Sequence, residues 1–141
     1  MINQIQIQNQ HPNQNTNLYR GFSNNFNDYT YEKDLGKGSF GLVQQFTYNG
    51  ESYAIKTLDK QRLSLKKGAL ERINQEVKIH KICRHKNIIA LKHVIDTHLN
   101  IYLIMEKAEK SLAEYISCQP SKRCTEYRAR IWTEEILDAL L

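Results

Sequence analysis

Three glycines, Gly36, Gly38 and Gly41, stand in the order G-x-G-x-x-G, and the chain is strand-like on both sides of them. Tyr29-Thr30-Tyr31-Glu32-Lys33-Asp34-Leu35 precedes them. Leu42-Val43-Gln44-Gln45-Phe46-Thr47-Tyr48, rich in branched and aromatic residues, follows. The second run ends at Asn49-Gly50. Asn-Gly between two apolar runs is the strongest short signal of a β-hairpin, because both turn residues need φ > 0. Without a Cβ, glycine lets the backbone turn sharply and bring its N–H groups close to phosphate oxygens. Strand, glycines, strand therefore reads as a flap over phosphates.

A dinucleotide-binding loop of the same spacing opens a helix that receives the pyrophosphate on its N-terminus, and no helix pattern follows Gly41. A GxxxxGK[ST] phosphate loop is absent. The strand after the hairpin turn, Glu51-Ser52-Tyr53-Ala54-Ile55-Lys56-Thr57-Leu58, contains Ala54-Ile55-Lys56, which matches V-A-I-K with Tyr53 in place of valine. Two motifs in the right order, on the right elements, carry more than either alone. From about Tyr29 to Leu141 the chain resembles a eukaryotic protein kinase, in its N-terminal lobe and the start of its second lobe.

The resemblance implies an ATP site. Leu35, Gly36, Lys37, Gly38, Ser39, Phe40 and Gly41 would form the flap over the phosphates, and Val43 with Ala54 would contact the adenine. Lys56 matches the lysine that touches the α- and β-phosphates. Glu76 is the expected helix partner of Lys56, with Glu71, more than a turn earlier, as the rival. Met105 corresponds to the residue at the back of the adenine pocket. Glu106-Lys107-Ala108 would be the hinge, offering the Glu106 carbonyl and the Ala108 amide to the adenine edge. Arg72-Ile73-Asn74-Gln75-Glu76-Val77-Lys78-Ile79-His80 looks most like polo-like serine/threonine kinases of the Sak type, which drive centriole duplication.

The rest of the chain predicts an α+β fold: a five-stranded antiparallel sheet with one major helix, then a hinge and the first helices of a truncated helical lobe. Asp59 to Lys67 reads as a linker of mixed charge. Gly68 opens a helix whose Leu70, Ile73, Val77 and His80 share one face at three- and four-residue spacing. Ile88 to Ile95 and Ile101 to Glu106 read as strands joined by a short connection. Ser111 caps a short helix with Glu114 as capping-box partner, and Thr125 caps a longer one over Tyr127, Ile131, Ile136, Leu137 and Leu140. The expected division is a disordered tail over 1–28, a first lobe over 29–106, and a hinge with the beginning of a second lobe over 107–141. The tail assignment rests on thirteen Asn or Gln and few large apolar residues, which cannot bury enough surface to offset ordering entropy.

Composition bounds the remaining functions. The formal net charge of +5 is spread along the chain. Its densest basic segment, Lys60-Gln61-Arg62 with Lys66-Lys67, reads as a solvated loop, since no aromatic-rich or helix-turn-helix pattern points to nucleic acid. His80, Cys83 and His85 lack the fourth ligand and paired spacing of a structural zinc site, so no metal is expected there. Three cysteines, Cys83, Cys118 and Cys124, without paired spacing suit a reduced compartment. The N-terminus lacks the basic and apolar regions of a signal peptide, and no apolar run approaches a membrane span. A cytoplasmic location is expected, with centriole or cytoskeletal association implied only by subfamily resemblance.

No His-Arg-Asp and no Asp-Phe-Gly occurs among the 141 residues. In kinases these supply the catalytic aspartate and the magnesium ligands, so the resemblance puts both past Leu141. Expected partners are ATP, Mg2+ and a protein substrate, with catalysis only when the second lobe is present. The alternative is a catalytically dead lobe that binds nucleotide or protein. Each Leu or Ile left wet on the last helix forgoes about 1.5–3 kcal/mol of burial. The isolated chain is therefore expected to be unstable or to aggregate.

Overall fold

A computed structural model of the chain describes residues 21–38 and 41–141. The expectations for Ser39, Phe40 and the first twenty residues lie outside the described residues. Five strands, β1 (Thr30–Lys37), β2 (Gly41–Tyr48), β3 (Glu51–Asp59), β4 (Leu91–Asp96) and β5 (Asn100–Glu106), form one sheet in the order β1-β2-β3-β5-β4, every pair antiparallel. Asn49 at φ 49° and Gly50 at φ 79° turn β2 into β3, as the primed hairpin turn requires. Among the described residues four α-helices accompany the sheet: α1 (Lys60–Ser64), α2 (Ala69–Ile82), α3 (Leu112–Ser117) and α4 (Glu126–Leu140). The expected α+β architecture, a five-stranded sheet with one major helix followed by the first helices of a second lobe, is the architecture observed.

Strand alternation gives the sheet two apolar faces, and each is covered. On one, Leu58, Leu91, Ile101 and Leu103 pack with Leu63 of α1 and with Ala69, Ile73 and Val77 of α2. On the other, Phe46, Tyr53, Ile55, Ile95 and Ile104 pack with Tyr29, and Phe22 and Phe26 lie against them. Burial pushes the Tyr29 phenol up to about 12.

Four expectations need correction. The tail does not remain outside the fold as far as residue 28. Phe26–Asp28 form a 3-10 turn capped by the Asn25 side chain, and the aromatic rings of Phe22 and Phe26 repay the ordering cost that the polar composition suggested could not be met. The linker after β3 contains α1, because the Asp59 carboxylate accepts from the Gln61 and Arg62 amides and Leu63 is buried beneath it. Lys60, read as part of a solvated loop, pairs with Asp96 Oδ1 at 2.5 Å and donates to the Thr97 carbonyl at 2.6 Å. The fourth strand starts at Leu91, three residues late. Ile88 N–H is taken by the His85 carbonyl at 3.0 Å, which makes a turn of the preceding segment.

The cap assignments in the last third stand. Ser111 and Glu114 form a reciprocal capping box, and its amide and hydroxyl bonds hold the Glu114 carboxyl below the usual range. Thr125 accepts from the Arg128 amide to start α4. Among the described residues no helix is long and apolar enough to cross a membrane.

Candidate functional site

Directly opposed residues of an antiparallel sheet share a face. The register puts Gly41 opposite Leu58 and Leu58 opposite Ile101, Val43 opposite Lys56 and Lys56 opposite Leu103, Gln45 opposite Ala54 and Ala54 opposite Met105. Gly41, Val43, Ala54, Lys56 and Met105, drawn from three strands, therefore project to the face that also carries α2. Ala54 is buried, Val43 half-buried, and Met105 packs against the Leu58–Leu103 cluster.

α2 brings an acid to this face. Ile73 and Val77 turn inward, and Glu76 stands beside Val77 on the flank of the buried stripe. Its Oε1 lies 3.4 Å from Lys56 Nζ, a bond spanning twenty residues of sequence. Glu71 is exposed in the first turn of α2 and makes no ion pair with Lys56 among the described residues. With the Glu76 side chain 54 % exposed, solvent screens the pair, and its contribution to stability is about 0–1 kcal/mol. Such a pair positions an ammonium rather than holding a fold together.

The flap lies above. Gly36 pairs with Val43 and Lys37 with Leu42, and the Gly38 amide donates to the Gly41 carbonyl at 2.8 Å to close the turn. Leu35 sits at a register irregularity between Asp34 and Gly36, and Leu35 and Lys37 are both exposed. The glycines differ in what a side chain would meet. A Cβ at Gly36 meets nothing within 4 Å among the described residues, and one at Gly38 only the Gly41 carbonyl at 3.7 Å, whereas one at Gly41 would fall 2.0 Å from the Thr57 carbonyl oxygen. Gly36 and Gly38 thus leave open the space a Cβ would fill, and the register runs from Gly36 through Val43 to Lys56, whose ammonium fits a phosphate group. Among the described residues no three His, Cys, Asp or Glu gather as a metal site, so a magnesium ion finds no full ligand set here. One nitrogen of His80 is engaged with the Ile89 carbonyl at 2.7 Å.

Glu106 ends β5 opposite Tyr53, and it is clamped to the segment before β4. Its amide donates to the Ala90 carbonyl at 2.9 Å and its carboxylate accepts from the Ala90 amide at 3.3 Å. Ala108 is exposed just beyond. A groove of about 780 Å³ opens there, bounded by Ile89, Glu106, Ala108, Tyr115 and Trp132. None of Val43, Ala54 or Lys56 lines it, so it is a gap between elements and not the phosphate cleft.

Sequence reasoning passed over two groups that shape this region. Leu103 faces Lys56 across β3 and β5 and walls the base of the lysine, a role visible only once register is known. Asn87, in the turn after α2, donates to the Glu135 carbonyl of α4 at 2.8 Å, while His85 and Lys86 approach Asp138 at 3.5 and 3.2 Å. The only local signal was a polar cluster, Arg84-His85-Lys86-Asn87, at a helix end.

A family model described as the protein kinase domain matches residues 29–141, four-fifths of the chain and every element from β1 to α4. The chain belongs to the protein kinase family. This kinase chain is 32 % identical over 114 residues to CBL-interacting protein kinase 28 of Oryza sativa subsp. japonica, covering 79 % of the chain and 26 % of that protein. It is 31 % identical over 122 residues to serine/threonine-protein kinase PLK4 of Aedes aegypti, covering 85 % and 16 %. It is also 39 % identical over 80 residues to the SNF-related serine/threonine-protein kinase of Homo sapiens, covering 55 % and 10 %. The chain spans about a quarter or less of the length of these relatives. They are protein kinases of several kinds, two of them named as serine/threonine kinases, so the similarity does not single out the polo-like group.

Proposed function

We propose that this chain is the ATP-holding part of a serine/threonine protein kinase, which passes the γ-phosphate of ATP to a protein hydroxyl when a second lobe supplies the catalytic loop. The reading rests on the pairing of Lys56 with Glu76 on the sheet face beneath the glycine flap. Glu76 holds the ammonium towards the cleft, and Lys56 neutralises phosphate oxygens there. The Gly36 and Gly38 backbone approaches the same phosphates from above, and Val43 and Ala54 enclose the base. Met105 closes the back of that pocket, and the Glu106 carbonyl and Ala108 amide meet the base edge. Magnesium would accompany the ATP and supply further positive charge against the phosphates, while among the described residues Lys56 is the side chain that would meet them.

Replacing Lys56 by Met removes the cation and keeps much of the side-chain volume. In a product extended past Leu141, phosphorylation is expected to fall by at least about 10²-fold, measured as radiolabel transfer to a general acceptor protein. Activity near that of the unsubstituted protein would assign the phosphates to another residue. The Sak-type placement rests on Arg72–His80, and sequence past Leu141 decides it. A second reading is a lobe that binds nucleotide or a partner without chemistry. A reading frame that continues into His-Arg-Asp and Asp-Phe-Gly would remove it.

A further inference from the structure

The two ends of β1 have different jobs. Its C-terminal end carries Leu35, Gly36 and Gly38 into the flap; its N-terminal end continues from Tyr29 and the segment 21–28. All eight residues of β1 are exposed, and β1 is an edge strand with a single neighbour, β2. Its register with β2 is interrupted twice, between Tyr31 and Lys33 and between Asp34 and Gly36. Besides that interrupted ladder, β1 is tied to β2 by bonds from Gln45 and Thr47 to Glu32 and from Gln44 to Asp34, and by the edge-on contact of Tyr31 with Phe46. With no side chain buried, it opens more readily than the central strands.

The segment before it is fixed firmly. Phe26 stacks on Tyr102 of β5 with ring centres 3.8 Å apart and planes 13° from parallel, and meets Phe46 of β2 edge-on at 5.1 Å. Phe22 meets Tyr53 of β3 edge-on at 5.3 Å and stacks on His93 of β4 at 5.8 Å. Asn24 Oδ1 lies 2.9 Å from His93 Nε2, and the Tyr29 hydroxyl donates to the Ser23 carbonyl at 3.1 Å. The segment thus reaches across the sheet on the face opposite α2, touching β2, β3, β4 and β5. Of these, β2, β3 and β5 carry Val43, Lys56 and Met105.

We propose that Phe22 and Phe26 are positioning residues for nucleotide binding: they rivet the head of β1 to the strands that carry Lys56, and so set the height of the glycine flap above it. Aromatic pairs of this kind add about 0.5–1.5 kcal/mol each beyond their buried area, enough to bias an exposed edge strand. The inference rests on the phosphate-holding role proposed for the flap. The test therefore has one arm that does not need nucleotide.

In that arm, backbone amide exchange is followed by mass spectrometry on the chain, or on a longer product if the frame runs on, and on its Phe22→Ala variant. Exchange over 31–38 is expected to quicken about tenfold while β3 and β5 change by less than about twofold. In the second arm, affinity for a fluorescent ATP analogue is expected to weaken about threefold or more. Phe22→Tyr, which keeps the ring, should restore both. If Phe22→Ala does not fold, Asn24→Ala removes the bond to His93 without removing packing and should give the same ordering at smaller size. Uniform acceleration over β1, β3 and β5, or no change over 31–38, would overturn the proposal and leave the phenylalanines as ordinary core. Failure of the unsubstituted chain to bind nucleotide would instead count against the phosphate-holding site, and the exchange arm would still judge the rivet.

Discussion

Replacing Gly41 by alanine and replacing Gly36 by alanine should shift stability in opposite directions. Neither glycine has positive φ, so backbone conformation does not demand glycine at either place. Space does at one. A Cβ at Gly41 would lie 2.0 Å from the Thr57 oxygen, 3.0 Å from the Thr57 carbonyl carbon and 3.2 Å from Leu58 Cδ2. Carbon and carbonyl oxygen approach to about 3.3–3.6 Å at closest, so β2 and β3 must part by about an ångström where the flap begins. Overpacking of that size costs about 1–3 kcal/mol. Alanine returns about 0.4–1 kcal/mol by restricting the unfolded chain. The net loss at Gly41 is about 1–2 kcal/mol, or a thermal midpoint lower by about 4–8 °C. At Gly36 no clash opposes the entropic term, so Gly36→Ala should gain about 0.4–1 kcal/mol while weakening nucleotide binding, because the methyl group enters the phosphate space. The assay is urea unfolding followed by Trp132 fluorescence, in this chain or in a longer product if the frame runs on, paired with titration of a fluorescent ATP analogue. A Gly41→Ala protein as stable as its parent, or a Gly36→Ala protein that loses as much as Gly41→Ala, would refute the close-approach argument.

Two further outcomes follow from the site and from the buried histidine. Glu76→Gln should lower phosphorylation by the extended product more than Glu71→Gln does, while the unfolding free energies of both stay within about 1 kcal/mol of the parent; the opposite ranking in activity would transfer the pairing role to Glu71. His93 is buried, and that burial, with a smaller effect of Lys81, lowers its pKa below the ordinary 6.5. The unfolded chain then takes up the proton first as pH falls. The neutral ring's contribution is whole above about 6.5 and is lost as pH drops through the folded-state value. Unfolding midpoints measured from pH 7.5 to 5 should show this decline, and His93→Gln should flatten it; an equal slope in both proteins would assign the proton elsewhere.

What the sequence disclosed, and what it hid, divides along the range of the forces involved. Asn49-Gly50, the Ser111–Glu114 box and the Thr125 cap act within four residues, so their chemistry is written locally and each element was legible. The partnership of Lys56 and Glu76 was legible for another reason: motif order placed the two residues on a strand and a helix, and the fold brought them to 3.4 Å. α1 escaped notice because it carries a single buried apolar residue, Leu63, and its start depends on an Asp59 cap hidden among charges. Phe22 and Phe26 escaped because their partners lie as far away as residue 102 and their neighbours are mostly small or polar. The crowding at Gly41 needed the β2–β3 register, which no motif states.

Asn87 grips the carbonyl oxygen of Glu135 and not its carboxylate. A main-chain acceptor is present whatever side chain stands there, and its second lone pair remains for the helix's own ladder. The constraint is therefore one-sided. Position 135 is free to drift through any helix-tolerant residue without loosening the grip, whereas position 87 must keep a short amide to reach it. Compensating change at 135 cannot rescue a variant at 87, and pairs of substitutions at these two sites should show no reciprocity.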